Sequence, residues 1–205
     1  MNPGKIENIV FDLGNTLCYF DFCYFFDGVA RLEKKLNLKE FRKYIYSNKL
    51  DIKLSTSGIT HKEFFKKLKR KFNLKIGYSD FAYLYKDIFW ENTPMKNFLE
   101  QISSLRKFKL LLVSNTCSVH INFINRNFPY VNLIKNKIYS FRVKMMKPDK
   151  KIFRYFIKKF KINPEKSIFV DDLSENIKIA RQFGFKTIHY TTHKSFIKQF
   201  NKLIR

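Results

Sequence analysis

The residues most able to do chemistry in this chain stand at the ends of short apolar segments. They are Asp12 after "IVF", the pair Ser114 and Asn115 after "LLLV", and the pair Asp171 and Asp172 after "IFV". A carboxylate at the end of a buried strand is costly unless it has a partner. Three carboxylates in one crevice repel each other and require a cation, and a set of oxygen ligands indicates Mg²⁺.

A lysine adds a second chemical signal to this set. Lys147 lies in "MMKPD", just ahead of the helical pattern that leads to Asp171. A lysine, a serine hydroxyl and exposed backbone amides beside a metal suit a phosphate group. Asp12 would then act as the nucleophile and form an aspartyl-phosphate.

Alternating strands and helices must position these residues. The predicted buried strands are Ile9–Asp12, Leu110–Ser114, Ser167–Asp171 and Lys186–Tyr190. The predicted helices around them are Ser118–Phe128, Asp149–Phe160, Ser174–Phe183 and His193–Ile204. This alternation predicts a doubly wound parallel α/β sheet with its site at the carboxyl ends of the strands.

The segment from about Asp21 to Thr93 breaks this alternation, since it contains no clear buried strand. Three or four helices are predicted in it, namely Phe26–Leu36, Leu38–Asn48, His61–Phe72 and Tyr78–Phe89. Thr60 and Glu63 are spaced as a capping box for the third. Pro94 marks the exit. A helical insertion directly after the first strand would lie over the strand ends as a cap.

The composition is globular but strongly basic, with a net charge of +24. Such a charge suits nucleic acid or an anionic membrane, yet 32 of the 41 basic residues are lysines spread along the whole chain. Ala, Gly and Pro, whose codons are rich in G and C, are scarce, so the excess of lysine reflects codon bias. We therefore expect neither nucleic acid nor a membrane as a partner. The apolar run near the start is too short for a signal peptide or membrane span. Three cysteines without a metal-type pair predict free thiols in the cytoplasm.

The order of "FDLGNTL", "LLVSNT", "MMKPD" and "FVDDLSEN" resembles that of the haloacid dehalogenase superfamily over nearly the whole chain. His120 beyond "SNT", "IYS" before "MMKPD" and "SGITHKEF" in the insertion make it similar to the bacterial α-glucose-1-phosphatase-like branch. The resemblance implies a Rossmann-like core, residues 1–20 and 94–205. It also implies a small helical cap, residues 21–93, inserted after the first strand.

The resemblance assigns the catalytic and phosphate-binding roles residue by residue. Asp12 matches the nucleophile, and Lys147 matches the lysine that offsets charge on nucleophile and phosphate. Ser114 matches the phosphate-binding hydroxyl, with Asn115 beside it. The turn that contains Asn15 is expected to present backbone groups to the phosphate.

The resemblance also implies the metal ligands. Asp171 and Asp172 match the acidic pair that holds Mg²⁺ with Asp12, and the backbone carbonyl of Gly14 stands where the family has its second ligand. Gly14 is also a departure, because most phosphatases of the superfamily carry a general acid–base aspartate there. Glycine occurs at this position in the branch named above, and we expect it to favour substrates with good leaving groups, such as sugar 1-phosphates.

Other candidates have two interpretations each. Asp21 either faces the site or caps a helix, and His120 either contacts substrate or is a buried structural histidine. We expect His61 at the surface. Some aromatic side chains of the insertion would line a cap pocket while most belong to its core; the candidates are Phe20, Phe22, Tyr24, Phe25 and Trp90.

The sequence therefore predicts a Mg²⁺-dependent phosphatase of a small phosphorylated metabolite, a monomer or homodimer, with a hexose 1-phosphate as the first candidate substrate. The alternatives within the superfamily are a nucleotide or other phosphomonoester hydrolase and a 2-haloacid dehalogenase. The acidic pair argues against the last, because the dehalogenases lack it. A third alternative is a degenerate fold that binds nucleic acid or a partner. The complete set of Asp12, Ser114, Lys147 and Asp171 argues against it.

Overall fold

The computed structural model describes residues 5–204 as strands alternating with helices. The strands are β1 (Asn8–Phe11), β2 (Cys18–Phe20), β3 (Phe89–Glu91), β4 (Lys109–Ser114), β5 (Asn136–Tyr139), β6 (Ser167–Asp171) and β7 (Lys186–His189). The helices are α1 (Phe22–Leu32), α2 (Leu38–Ser47), α3 (Leu50–Ser55), α4 (His61–Phe72), α5 (Tyr78–Lys86), α6 (Thr93–Ser104), α7 (Ser118–Asn127), α8 (Ser140–Val143), α9 (Lys150–Phe160), α10 (Ser174–Gln182) and α11 (His193–Ile204).

Within residues 5–204, five parallel strands form one sheet in the order β5-β4-β1-β6-β7. The predicted doubly wound α/β fold is confirmed, and all four predicted strands are present within one residue of their expected bounds. The edge strand β5 was not predicted. Its first two residues are only half-buried, so it lacks the continuous apolar run of a central parallel strand.

Alternating side chains of the central strand divide the core between the two faces of the sheet. Ile9 and Phe11 pack on one face with residues of α6, α7 and α11. Val10 packs on the other face with residues of α9 and α10. Because both faces are covered, β1 is apolar from Ile9 to Phe11, and the next polar side chain emerges at its carboxyl end.

The helical insertion is confirmed, with changes at its helix ends. Helix α4 has its predicted bounds, and Thr60 and Glu63 form the predicted capping box. Helix α1 begins at Phe22 instead of Phe26, because Asp21 Oδ1 accepts the backbone N–H of Cys23 at 2.7 Å. The six-residue helix α3 was not predicted, since it is too short to show helical periodicity. The sequence pattern also predicted no helix at α6, which carries Pro94 in its first turn.

A two-stranded antiparallel ribbon joins the two ends of the insertion. β2 pairs with β3, placing Phe20 beside Phe89 and Tyr19 beside Trp90. The sequence predicted no strand in either place, and residue 89 was expected at the end of a helix that stops at Lys86. Three-residue strands carry little local signal and are stable only through their partners.

The insertion has its own cluster of buried side chains, which is dominated by aromatic rings. Phe25, Phe41, Phe64 and Phe81 lie at its centre, and Cys117, just ahead of α7, packs against them.

Among residues 5–204, no helix is both long enough and apolar enough to cross a bilayer.

Candidate active site

Three carboxylates meet at the carboxyl ends of the two central strands. Asp12 follows β1, Asp171 ends β6, and Asp172 follows directly. β1 and β6 are neighbours in the sheet, with Phe11 paired to Val170. One carboxylate oxygen from each of the three aspartates lies within 4.8 Å of the other two. This is the convergence expected for the ends of parallel strands.

The ammonium group of Lys147 lies between two of these carboxylates. Its Nζ is 2.7 Å from Asp12 Oδ1 and 2.6 Å from Asp171 Oδ2, and the lysine is only 2% exposed. Within residues 5–204, Asp172 forms no salt bridge. Three carboxyl groups thus surround one ammonium group. When all three are ionised, the uncompensated negative charge favours binding of a divalent cation.

Burial shapes the proton affinities of these groups. It raises the pKa of Asp12 to about 7, with the charge on Lys147 opposing the rise and the charge on Asp171 adding to it. Burial and then the charge on Asp171 also raise the pKa of Asp172. Burial disfavours the charge on Lys147, but the Asp12 and Asp171 carboxylates outweigh it and raise the pKa of the lysine. A bound divalent cation would favour the ionised carboxylates.

The amide of Asn115 holds Lys147 in this position. Asn115 Oδ1 accepts the backbone N–H of Lys147 at 2.8 Å, and its Nδ2 donates to the Lys147 carbonyl at 2.7 Å. Sequence reasoning placed Asn115 beside the phosphate, whereas its polar atoms are engaged by the backbone of the lysine. Asn115 therefore acts first as a positioning residue. Ser114, the last residue of β4, is buried beside it.

Residues without a role in the sequence analysis contact the acidic pair, at the side chain of Asp171 and at the backbone of Asp172. Asp171 Oδ1 accepts hydrogen bonds from Asn176 Nδ2 at 2.8 Å and from the backbone N–H of Leu173 at 2.9 Å. His189 Nε2 donates to the Asp172 carbonyl at 2.7 Å. Asn176 belongs to the quoted motif "FVDDLSEN", so its spacing of five residues from Asp171 was a usable signal. His189 reaches the site only through the pairing of β7 with β6.

The space at Gly14 is occupied by an aromatic ring. A Cβ atom added to Gly14 would lie 2.5 Å from Phe20 Cε1. The ring of Phe20 packs against Phe22 and Phe89, with centroids 5.8 Å away in each case. Asn15, which has a positive φ of 49°, accepts the backbone N–H of Phe20 through Oδ1 at 3.3 Å. Position 14 therefore carries no ionisable side chain, and the ring of Phe20 occupies the space where such a side chain would lie.

A cavity of about 140 Å³ adjoins these residues. Its walls include Gly14, Phe20, Phe22, Ser114, Asn115 and His120. Of the other proposed pocket aromatics, Phe25 is fully buried in the core of the insertion, whereas Tyr24 and Trp90 are exposed. Asp21 is exposed as the N-cap of α1 and does not line this cavity.

The two histidines considered above are both buried. His120 Nε2 donates to the Tyr85 carbonyl at 3.0 Å, and its ring stacks on that of Tyr85 at 4.6 Å. His120 is therefore a buried structural histidine, and it also forms part of the cavity wall. The prediction that His61 lies at the surface was wrong, because its ring packs against Phe64, Phe81 and Tyr85.

The buried histidines should make the protein sensitive to acid. Burial lowers the pKa of His120 to about 4, against an ordinary value of 6.5. Between these values the unfolded chain binds a proton that the folded chain does not, so stability falls as the pH drops from 6.5 to 4. We expect His120→Gln to reduce this loss by about 3 kcal/mol. Urea unfolding at pH 7 and pH 4 measures it, with His193→Gln for comparison: burial lowers the pKa of this half-buried histidine as well, and we expect a smaller reduction there. An unchanged pH dependence in His120→Gln would contradict the assignment.

Comparison with known proteins gives one family and a consistent fold. A model described as haloacid dehalogenase-like hydrolase matches residues 6–184. The D-ribitol-5-phosphate phosphatase of Bacteroides thetaiotaomicron is 35% identical over an alignment of 99 residues that covers 43% of this chain and 47% of that protein. The chain spans at most about half the length of the curated relatives it matches.

Solved structures of a haloacid dehalogenase-family enzyme from the same bacterium share the fold. Its structure alone gives a TM-score of 0.82 at 23% identity, covering 91% of this chain and 94% of that one. Its magnesium complex gives 0.78 at 25% identity, covering 91% and 93%. Its complex with magnesium and inorganic phosphate gives 0.73 at 23% identity, covering 91% and 94%.

Proposed function

We propose that this chain, which belongs to the haloacid dehalogenase-like hydrolase family, is a Mg²⁺-dependent phosphatase of a small sugar or polyol phosphate. One observation carries the proposal: Asp12, Asp171 and Asp172 converge within 4.8 Å around a buried lysine that pairs with only two of them. The relative that acts on D-ribitol 5-phosphate, and the related enzyme solved with magnesium and inorganic phosphate, support the same chemistry.

The residues present fit a magnesium ion. The donor set consists of three carboxylates and, as we propose, the backbone carbonyl of Gly14, all of them the oxygen ligands that Mg²⁺ prefers. When bound, the ion would neutralise charge on the phosphate and on the carboxylates. Asn176 holds the Asp171 carboxylate in place beside this point, and His189 holds the backbone of Asp172.

The side chains of the chain supply the nucleophile and the stabilisation of charge. Asp12 attacks phosphorus through one carboxylate oxygen, the bond from phosphorus to the alcohol oxygen breaks, the departing alkoxide takes a proton from water, and an aspartyl-phosphate forms. Water then attacks this phosphorus and releases inorganic phosphate and free Asp12. Three groups stabilise the developing charge on the phosphoryl oxygens: Lys147, the Ser114 hydroxyl and the backbone amides of the turn at Asn15. Lys147 is already in contact with Asp12.

We propose that residues 21–93 act as a cap domain over a core of residues 1–20 and 94–205. The aromatic ribbon residues Phe20 and Phe89 lie where the insertion meets the cavity. Closing this region excludes bulk water from the aspartyl-phosphate and gives the cap control over the leaving group.

The filled space at Gly14 supports a preference for good leaving groups. Neither Gly14 nor Phe20 can protonate a departing alkoxide. An anomeric oxygen is more acidic than an ordinary alcohol and needs less protonation in the transition state. Hexose 1-phosphates are therefore our first candidates, and the phosphate of a primary alcohol, as in D-ribitol 5-phosphate, is the natural comparison.

Restoring an acid at this position should change the substrate preference. Because the added Cβ would collide with Phe20, the aspartate needs a companion change, Gly14→Asp with Phe20→Leu. We expect this pair to raise the ratio of kcat/KM for a sugar 6-phosphate to that for a sugar 1-phosphate by about tenfold or more. Gly14→Ala with Phe20→Leu controls for the steric change. If both pairs give the same ratio, the leaving-group explanation is wrong.

A screen of phosphorylated metabolites with Mg²⁺ tests the proposed function directly. The panel contains sugar 1-phosphates, sugar 6-phosphates, polyol phosphates, nucleotides and p-nitrophenyl phosphate, with Asp12→Asn as the blank. Release of phosphate from a sugar or polyol ester above the blank is the expected result. Turnover of nucleotides alone would replace the substrate class, and no turnover of any ester would overturn the function.

A further inference from the structure

A carboxylate of the insertion lines the same cavity as the phosphate-binding serine. Asp51 is the second residue of α3, and it lines the cavity of about 140 Å³ together with Ser114 and Gly14. It also borders a smaller cavity of about 50 Å³ among aromatic rings. Its Oδ1 atom is buried and has no hydrogen-bond partner among residues 5–204.

This carboxylate is unusual in a chain with so many cations. A buried oxygen without a donor costs free energy comparable to a lost hydrogen bond. The chain has 41 lysines and arginines, yet within the described residues none forms a salt bridge with Asp51. Oδ1 itself is closed off from solvent, so a ligand would meet the part of the carboxylate that lines the cavity, where no cation of the described residues occupies it.

A hydroxyl group accompanies the carboxylate on the same face of α3. Ser55 lies four residues after Asp51, which places both side chains on one side of the helix, and both line the cavity. Leu50 and Leu54 anchor the helix in the core of the insertion. Ser57, just beyond α3, donates to the Phe141 carbonyl at 2.7 Å and ties this segment to α8.

The size and lining of the cavity suit a small polyhydroxylated molecule. A volume of about 140 Å³ is close to the roughly 150 Å³ that accommodates a single six-membered ring, so the cavity admits one small molecule and no more. The rings of Phe20, Phe22 and Phe89 offer apolar surface to C–H groups. Asp51 accepts hydrogen bonds only, whereas Ser55 both donates and accepts, and hydroxyl groups can satisfy both.

We infer that Asp51 is a specificity-determining residue, whose carboxylate accepts hydrogen bonds from hydroxyl groups of the leaving group. Ser55 completes this contact. The inference rests on the proposed phosphatase function and adds the residue that would make the enzyme prefer esters of polyhydroxylated alcohols over esters of simple or aromatic alcohols. It places leaving-group recognition on α3 of the insertion and phosphate recognition on the strand ends.

The test compares kcat/KM for a polyol or sugar phosphate with that for p-nitrophenyl phosphate. We expect Asp51→Ala to lower the first by about 10- to 100-fold, the cost of losing hydrogen bonds to a charged group. The second should change by less than about threefold. Asp51→Asn, which keeps the shape, should show the same selective loss in weaker form. Asp80→Asn is the matched control, since Asp80 is an exposed carboxylate in the first turn of α5.

The outcomes separate the inference from the function it rests on. If the wild type hydrolyses none of these esters, the proposed function fails. If the wild type is active but Asp51→Asn and Asp51→Ala change both substrates equally, or neither, the inference fails. A wild-type preference for phosphorylated amino alcohols, lost in Asp51→Asn, would assign an ammonium group to Asp51 and overturn the hydroxyl assignment. Circular dichroism of each variant verifies folding, and Asp51→Asn decides if Asp51→Ala does not fold.

Discussion

Asp12→Asn should lower kcat for phosphate release by about 10³-fold or more and leave the protein folded. An amide cannot displace the alcohol from phosphorus, so no covalent intermediate can form. The fold should tolerate the change because Lys147 keeps its contact with Asp171 at 2.6 Å. Removing one of two acidic groups beside a single lysine also relieves the repulsion between Asp12 and Asp171.

Two measurements check this result. Steady-state phosphate release gives the loss in kcat, and acid-quenched single turnovers with a radiolabelled ester show whether phosphate becomes attached to the protein. The wild type should retain label and Asp12→Asn should not. Asp149→Asn serves as the control, because this exposed residue caps α9 and asparagine caps equally well. Labelling of Asp12→Asn at the wild-type level would show that another residue is the nucleophile.

Lys147→Met should lower the free energy of unfolding by about 3–5 kcal/mol when Mg²⁺ is removed with a chelator. Methionine fills a similar volume but leaves the Asp12 and Asp171 carboxylates buried without their cation. Charged groups in such surroundings are costly, and they repel each other at this distance. The variant should also lose turnover, since the charge that faces the phosphate is gone.

Urea unfolding with chelator and with excess Mg²⁺ measures this effect. Added Mg²⁺ should recover part of the lost stability in Lys147→Met, because a divalent cation can neutralise the same carboxylates. Asp12→Asn combined with Lys147→Met should be more stable than Lys147→Met alone. Lys166→Met is the control: its ion pair with Glu7 is exposed, and we expect a loss below about 1 kcal/mol. Equal losses in the two lysine variants would mean that Lys147 does not support the acidic cluster.

The residues at the strand ends were predictable because their signal is local. An apolar run that stops at a carboxylate specifies both a buried parallel strand and the side chain at its mouth. Asp12, Ser114 and Asp171 were placed in this way, and parallel pairing brought them together. The capping box of Thr60 and Glu63 was readable for the same reason, since both residues belong to one turn.

The sequence by itself therefore determined four of the five strands of the parallel sheet, the acidic cluster and the presence of a helical insertion. Tertiary structure alone decided what surrounds them. Phe20 fills the space beside Gly14 because a three-residue ribbon pairs it with Phe89, far away in the chain. Asp51 lies in the cavity wall on α3, a helix too short to produce a recognisable hydrophobic periodicity in the sequence. His61 is buried because the rings of Phe81 and Tyr85, on another helix, pack against it. Local patterns report which face of an element is apolar, but only packing between distant elements decides which side chain meets a cavity.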